Sequence, residues 1–242
     1  GIWDSAVSGL QLVLKHHYVM LIFGISCLYE VVLTVLDYEF KLLGVMRFRA
    51  IGGDAADEKF ATLMGHFGQA TNSLSLLLSL FGTSFVVRKL GVSRTLRIFP
   101  TLMVVAVLLS YFRPSLTMLF LCVSTLKGLS YSLNEPCKEM LYMPTSDAVK
   151  FKAKAWIDVF GSRCAKGVGS FITESTRSRG AGLRGASLVG EAAVYRSLAT
   201  FLISLVLLVI SVDVGKHFDA LIASGRIVGG GGEKGGTGGG AG

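Results

Sequence analysis

Three ionisable residues, Asp158, Arg163 and Lys166, fall within one otherwise apolar stretch, Ala155 to Ile172, of a 242-residue chain. Each costs roughly 2.5–3.5 kcal/mol at the centre of a membrane helix, so a stretch that keeps three of them is a functional candidate. At helical periodicity Asp158, Ser162, Arg163, Lys166, Gly169, Ser170 and Thr173 share one arc. The rest of the circle holds Trp156, Ile157, Phe160, Cys164, Val168, Phe171 and Ile172, and Val159 alone intrudes on the polar side. Two cations in a partly dry cleft require an anion. Arginine supplies a bidentate fork and lysine a point charge, which suits phosphate oxygens. Asp158 is expected to hold one of the cations when the site is empty. Lys127 is a third cation at similar depth, either a substrate contact or a lysine that snorkels to the interface. Glu30, in the first apolar stretch, either pairs with one of these cations, serves as a coupling group, or caps a polar contact between helices.

Other chemistries find little material. Gly161-Ser-Arg-Cys-Ala-Lys166-Gly167 has alanine before the lysine and glycine after it, and follows no strand, so it is not a phosphate loop. His16 and His17 point in different directions while His66 and His217 stand apart, which leaves no metal-ligand spacing. No carboxylate dyad or His/Ser pair falls in an apolar stretch, so an enzyme is not expected and no cofactor is implied. Cys27, Cys122, Cys137 and Cys164 lack CxxC spacing and read as small buried hydrophobes. Gln69 and Asn72, three residues apart, suit a helix–helix hydrogen bond or an adenine edge.

The elements that must position these residues belong to a membrane. Hydrophobic residues make up 51%, charged residues 17%, and mean hydropathy is +0.59, whereas soluble domains carry about a quarter charged residues. The excess of 24 Lys+Arg over 16 Asp+Glu gives +8. That balance favours an anionic partner, and the lack of basic runs interleaved with aromatics argues against nucleic acid. Six apolar stretches approach bilayer length: Tyr18 to Leu36, Phe60 to Val87, Leu96 to Phe112, Pro114 to about Leu133, Ala155 to Ile172, and Val194 to Val214. The second is long enough to need tilt or a protruding end, and Pro114 suits the first turn of the fourth. The fifth could instead lie on the membrane surface as an amphipathic helix. Its glycines and serines favour a cavity wall, and removing it from the count would put the termini on opposite sides. The expected organisation is all-α and polytopic: a flank at 1–17, a six-helix transmembrane bundle at 18–228, and a flexible glycine-rich tail at 229–242. Basic residues are somewhat more frequent on the side of the termini, which places that side in the cytoplasm or its organellar equivalent.

Two motifs carry a family resemblance. Asn134-Glu-Pro-Cys-Lys-Glu-Met-Leu-Tyr-Met-Pro144 is followed by Lys150-Phe-Lys-Ala-Lys-Ala-Trp-Ile-Asp158-Val-Phe-Gly-Ser-Arg163-Cys-Ala-Lys166-Gly-Val-Gly-Ser170. Together they resemble the ATP/ADP antiporter, or nucleotide transporter, family of plastids and obligate intracellular bacteria. The matches include Pro136, Lys138, Glu139, Met140, Tyr142, Pro144, Lys152, Lys154, Asp158, Gly161, Arg163, Lys166 and Gly169. Weaker similarity runs from about Leu10 to Ser224. The resemblance implies a major-facilitator-like carrier of which this chain is the C-terminal six-helix half, with ATP and ADP as transported substrates. It makes Arg163 and Lys166 the phosphate contacts and puts Lys127 where relatives often carry a base. Leu33 stands where relatives commonly place a glutamate, one turn after Glu30. The implied partners are the lipid bilayer and an N-terminal six-helix half. The chain begins at Gly1 without a methionine, so six further spans are expected upstream. The implied membrane is the plastid inner envelope or the bacterial cytoplasmic membrane. Carriage of another nucleotide or organic anion, with or without proton coupling, and a non-transporting nucleotide-binding scaffold are the alternative readings. The P-x-[DE]-x-x-[KR] signature of mitochondrial carriers begins at none of Pro100, Pro114, Pro136 or Pro144.

Overall fold

Apolar runs of bilayer length leave the backbone no hydrogen-bonding partner in lipid except itself, and the chain answers with helices throughout. The computed structural model describes residues 2–49, 52–181 and 186–230. In chain order it contains α1 (Ile2–Lys15), α2 (His17–Arg49), α3 (Asp54–Leu77), α4 (Thr83–Leu90), α5 (Val92–Phe112), α6 (Leu116–Leu129), α7 (Glu135–Leu141), α8 (Lys154–Trp156), α9 (Ser162–Ala181) and α10 (Ala186–Ser224). Four single turns of π-helix interrupt the series, at Leu78–Gly82, Ser130–Asn134, Val149–Ala153 and Ile157–Gly161. Gly91, at φ +77°, caps the start of α5 in a conformation that side-chain-bearing residues avoid. Ser115, not Pro114, caps the start of α6: its hydroxyl accepts a hydrogen bond from the Met118 amide at 3.1 Å.

Four helices are long and apolar enough to cross a membrane: His17–Arg49, Val92–Phe112, Leu116–Leu141 and Val194–Ser224. The pair Asp54–Leu80 and Ser84–Leu90, bent by 55°, passes the same test only when taken together, so the candidate spans number four, or five if the pair counts as one. The helix over the expected second span is therefore bent, not simply tilted. The stretch 155–172 is helical but is not among the spans that pass on length and apolarity, because Asp158, Arg163 and Lys166 lie within it.

Register shows how the legs thread. Tyr18, Tyr29 and Asp37 on α2 meet Leu141, Glu135 and Lys127 in turn, so α6–α7 runs antiparallel to α2. Phe40 meets Phe67, and Gly44 approaches Phe60 and Leu63, so α3 is antiparallel as well. Gly24 packs on Ile210 and Glu39 bonds Arg196, which makes α10 antiparallel to α2. The Ser93 hydroxyl reaches Gly215 O and Asp219 Oδ1, setting α5 against α10 in the same sense. Gly161 lies against Phe23 and Cys27, and Gly169 against Val31 and Thr34, so α9 runs parallel to α2. The legs thus alternate up and down, and the fifth takes its turn. Phe40, Phe67 and Phe120 form an aromatic cluster with centroids 4.8–6.0 Å apart where α2, α3 and α6 meet.

The far end of the chain returns to the loop before α8. The Val228 amide donates to Pro144 O and the Ser146 amide to Val228 O, each at 2.9 Å. Gly229 and Gly230, expected to open a loose tail, lie directly against this tie. Residues 231–242 of that tail lie outside the described residues.

Candidate functional site

The stripe Gly161, Ala165, Gly169 and Thr173 is buried, and small residues there let α9 approach α2 closely. A Cβ added at Gly169 would come within 2.9 Å of Thr34 Cβ. This contact fixes depth as well as distance. Arg163 and Lys166 fall between the two glycine contacts, level with Cys27 to Val31, in the middle of the apolar run Tyr18 to Leu36. Both side chains are exposed, and Gly167 and Ser170 beside them are exposed too. Cys164, Val168 and Phe171 form a second exposed arc, wholly apolar, on the neighbouring quarter of α9. The helix therefore presents α2 with small residues, and open space with one polar and one apolar arc.

Asp158 departs from the expected grouping. The wheel that put it with Arg163 and Lys166 assumes 100° per residue, but Ile157–Gly161 is a π turn, and its i→i+5 bonding shifts the phase of everything before it. Asp158 instead lines a cleft of about 480 Å³ with Glu139, Tyr142, Met143, Lys150, Phe151, Lys154 and Ala155. It makes no ion pair with Arg163 or Lys166 among the described residues. In that cleft Lys154 Nζ binds Glu139 Oε2 at 2.6 Å, and burial pushes the Tyr142 hydroxyl well above its usual range.

The cation partner near α9 is Glu30. Lys166 Nζ lies 3.8 Å from Glu30 Oε2, and the lysine side chain remains 59% exposed. Glu30 Oε1 is in turn 2.8 Å from the Tyr29 hydroxyl, which is also 2.9 Å from Glu135 Oε1. Lys138 closes the series: its Nζ is 2.7 Å from the same Glu135 oxygen and 4.6 Å from the centre of the Tyr29 ring. Lys138 is only 8% exposed, so that carboxylate and ring stand in for the water its side chain lacks. Arg163 has no ion-pair partner among the described residues.

Lys127 does not stand free. Its Nζ lies 2.5 Å from Asp37 Oδ1 and 5.2 Å from the centre of the Phe67 ring, and Lys41 Nζ reaches the other Asp37 oxygen at 2.6 Å. It serves first as a clamp between α6 and α2. Gln69 and Asn72 are exposed on α3 and bond no other helix among the described residues.

Tyr29, Asp37, Glu135 and Lys138 are the participants that sequence reasoning missed. Glu135 and Lys138 carried a signal, an i,i+3 pair of opposite charge within the first motif. Asp37 was placed just beyond the first span, whereas α2 continues to Arg49. Tyr29 carried none, since an aromatic in an apolar run has no visible polar partner.

No solved structure matches the chain. The sequence profile described as TLC ATP/ADP transporter matches residues 5–212. An all-α, multi-pass chain whose mid-depth helix displays lysine and arginine is what that match covers, and the chain belongs to the TLC ATP/ADP transporter family, a family of transporters and not of enzymes.

Proposed function

We propose that this chain takes part in exchanging ATP for ADP across a membrane by alternating access. Arg163 and Lys166 bind the phosphates, Lys127 and Glu30 belong to the same polar region, and Asp158 lines its approach. The observation that carries the reading is the closeness of Arg163, without an ion-pair partner among the described residues, to a loosely held Lys166 at the depth of the apolar run of α2. Cations that no described helix covers are costly in hydrocarbon, and a polyphosphate supplies the charge they lack. Their exposed arc suits contact with a second bundle, the N-terminal six-helix half of the same carrier, which together with this one encloses the substrate. The plastid inner envelope or the bacterial cytoplasmic membrane is the proposed setting, with residues 18–228 as the bundle.

Differential contact drives the switch. A nucleotide bound more tightly to one end state than to the other shifts the population toward it, whereas equal affinity shifts nothing. Lys166 is suited to this because its link to Glu30 is long enough to yield to a phosphate oxygen. The test is uptake of labelled ATP by liposomes containing the full-length protein. Lys166→Ala is expected to abolish uptake, and uptake near the wild-type level would remove Lys166 from the site.

A further inference from the structure

The Tyr29 hydroxyl stands between two carboxylates with one proton to give. Its oxygen is 2.8 Å from Glu30 Oε1 and 2.9 Å from Glu135 Oε1, both within hydrogen-bond range. A phenol donates once, so the second contact is either two facing lone pairs or a bond donated by a protonated carboxyl to the Tyr29 oxygen. The ammonium of Lys138 lies against Glu135 at 2.7 Å. Glu30 has the weaker hold on a cation, Lys166 at 3.8 Å.

We propose that Glu30, bridged through Tyr29 to Glu135, is a proton-binding site linked to the nucleotide. The proposal rests on the phosphate-binding role given to Lys166 above. When Lys166 turns from Glu30 to a phosphate oxygen, Glu30, in a largely covered position, loses the one cation paired with it among the described residues. A carboxylate left so neutralises by taking a proton. That proton adds to a Glu30 oxygen, which then donates to Tyr29 while the phenol donates to Glu135, so both contacts become proper hydrogen bonds. No bond between heavy atoms forms or breaks, and the proton comes from water in the cleft. Linkage is reciprocal: nucleotide binding takes up a proton, and acid favours nucleotide binding.

The groups facing Glu30 are consistent with this division. Tyr29 and Cys27 on α2 and Lys166 on α9 act on Glu30 directly, Glu135 and Lys138 on α7 follow through Tyr29, and Cys164 on α9 lies beyond Cys27. Asp158 on the neighbouring π turn lies in the field of Lys138 and Lys154. Lys138 is committed to Glu135 and the Tyr29 ring, which leaves Lys166 as the cation that substrate can withdraw.

Titration calorimetry of the full-length protein with ATP, in a series of buffers differing in ionisation enthalpy, counts protons taken up per nucleotide. Working at about pH 8, well above the ~6 second ionisation of a phosphoryl group, keeps the nucleotide's own proton out of the count. Wild type is expected to take up about one proton per ATP bound. Glu30→Gln, whose carboxamide keeps a hydrogen bond to Tyr29, is expected to take up none for whatever binding it retains. ATP binding by wild type without proton uptake would overturn this proposal and leave the nucleotide reading intact. Undiminished uptake in Glu30→Gln would remove the assignment to Glu30. Absence of any ATP binding would remove the nucleotide reading, and this one with it. Should the variant fail to fold, an outward-acid pH gradient across wild-type proteoliposomes decides: faster ATP uptake supports the proposal, and an unchanged rate overturns it.

Discussion

Arg196 and Glu39 form a 2.8 Å pair with side chains only 10% and 13% exposed, between α10 and α2. Removing one partner of such a pair strands a buried charge, at about 3–5 kcal/mol, whereas replacing both with apolar residues is often neutral. Arg196→Met is therefore expected to lose about 3 kcal/mol of stability, and adding Glu39→Leu should restore most of it. Thermal unfolding of the detergent-solubilised protein reads both; equal melting of wild type and Arg196→Met would mean that water reaches the pair. Asp37 poses a different case because two lysines share it. Losing Lys127 leaves the carboxylate with Lys41, whereas losing Asp37 takes the carboxylate from both lysines, of which Lys127 is the more covered. Lys127→Gln should accordingly cost less stability than Asp37→Asn in the same assay, and the reverse order would remove the shared-clamp account. Little of this was visible in the chain as text. The charged residues could be counted, but a lysine's partner is set by helix register, and Lys127 reaches Asp37 across 90 positions.

Among the elements, α9 depends on two glycines with opposite surroundings. At Gly169 a Cβ would press on Thr34 Cβ at 2.9 Å, whereas at Gly167 nothing lies within 4 Å. Gly169→Ala forces α9 away from α2 and is expected to destabilise by about 1–3 kcal/mol. Gly167→Ala meets open space and gains helix propensity, so it should be neutral or stabilising by up to about 1 kcal/mol. Melting temperatures of the two variants in detergent check the contrast, and equal shifts would mean that α9 does not seat on α2 as described. The polar arc of this helix was legible because Lys166, Ser170 and Arg163 recur at helical spacing within an α segment. Asp158 was not, because a π turn has no sequence mark and moves every residue on its far side to another face. The α3–α4 break was hidden in the same way: Leu78–Gly82 is as apolar as its flanks, yet the helix bends there by 55°.

At the scale of the whole molecule, the alternating threading of the legs was readable from six apolar runs, while the weakness of the fifth as a span followed from the residues that make it useful. A helix that carries Arg163 and Lys166 at this depth cannot be held by lipid alone, so α9 depends on α2 on one side and on whatever shares its polar arc on the other. This gives its two exposed arcs different solvents. Lys166, Arg163, Gly167 and Ser170 should meet water in a substrate cleft, and Cys164, Val168 and Phe171 should meet acyl chains or apolar protein. Thiol alkylation separates the two, because the reactive species is the thiolate, which requires water. In a full-length background with Cys27, Cys122, Cys137 and Cys164 replaced, Ser170→Cys should react with a charged maleimide and be protected by ATP. Phe171→Cys, one residue on but about 100° round the helix, should react at least tenfold more slowly. ATP should leave that slower rate unchanged. Equal labelling at both positions would mean that α9 lies in solvent and not in the membrane. Reversed labelling would turn the polar arc toward lipid and remove the cleft on which the proposed nucleotide binding depends.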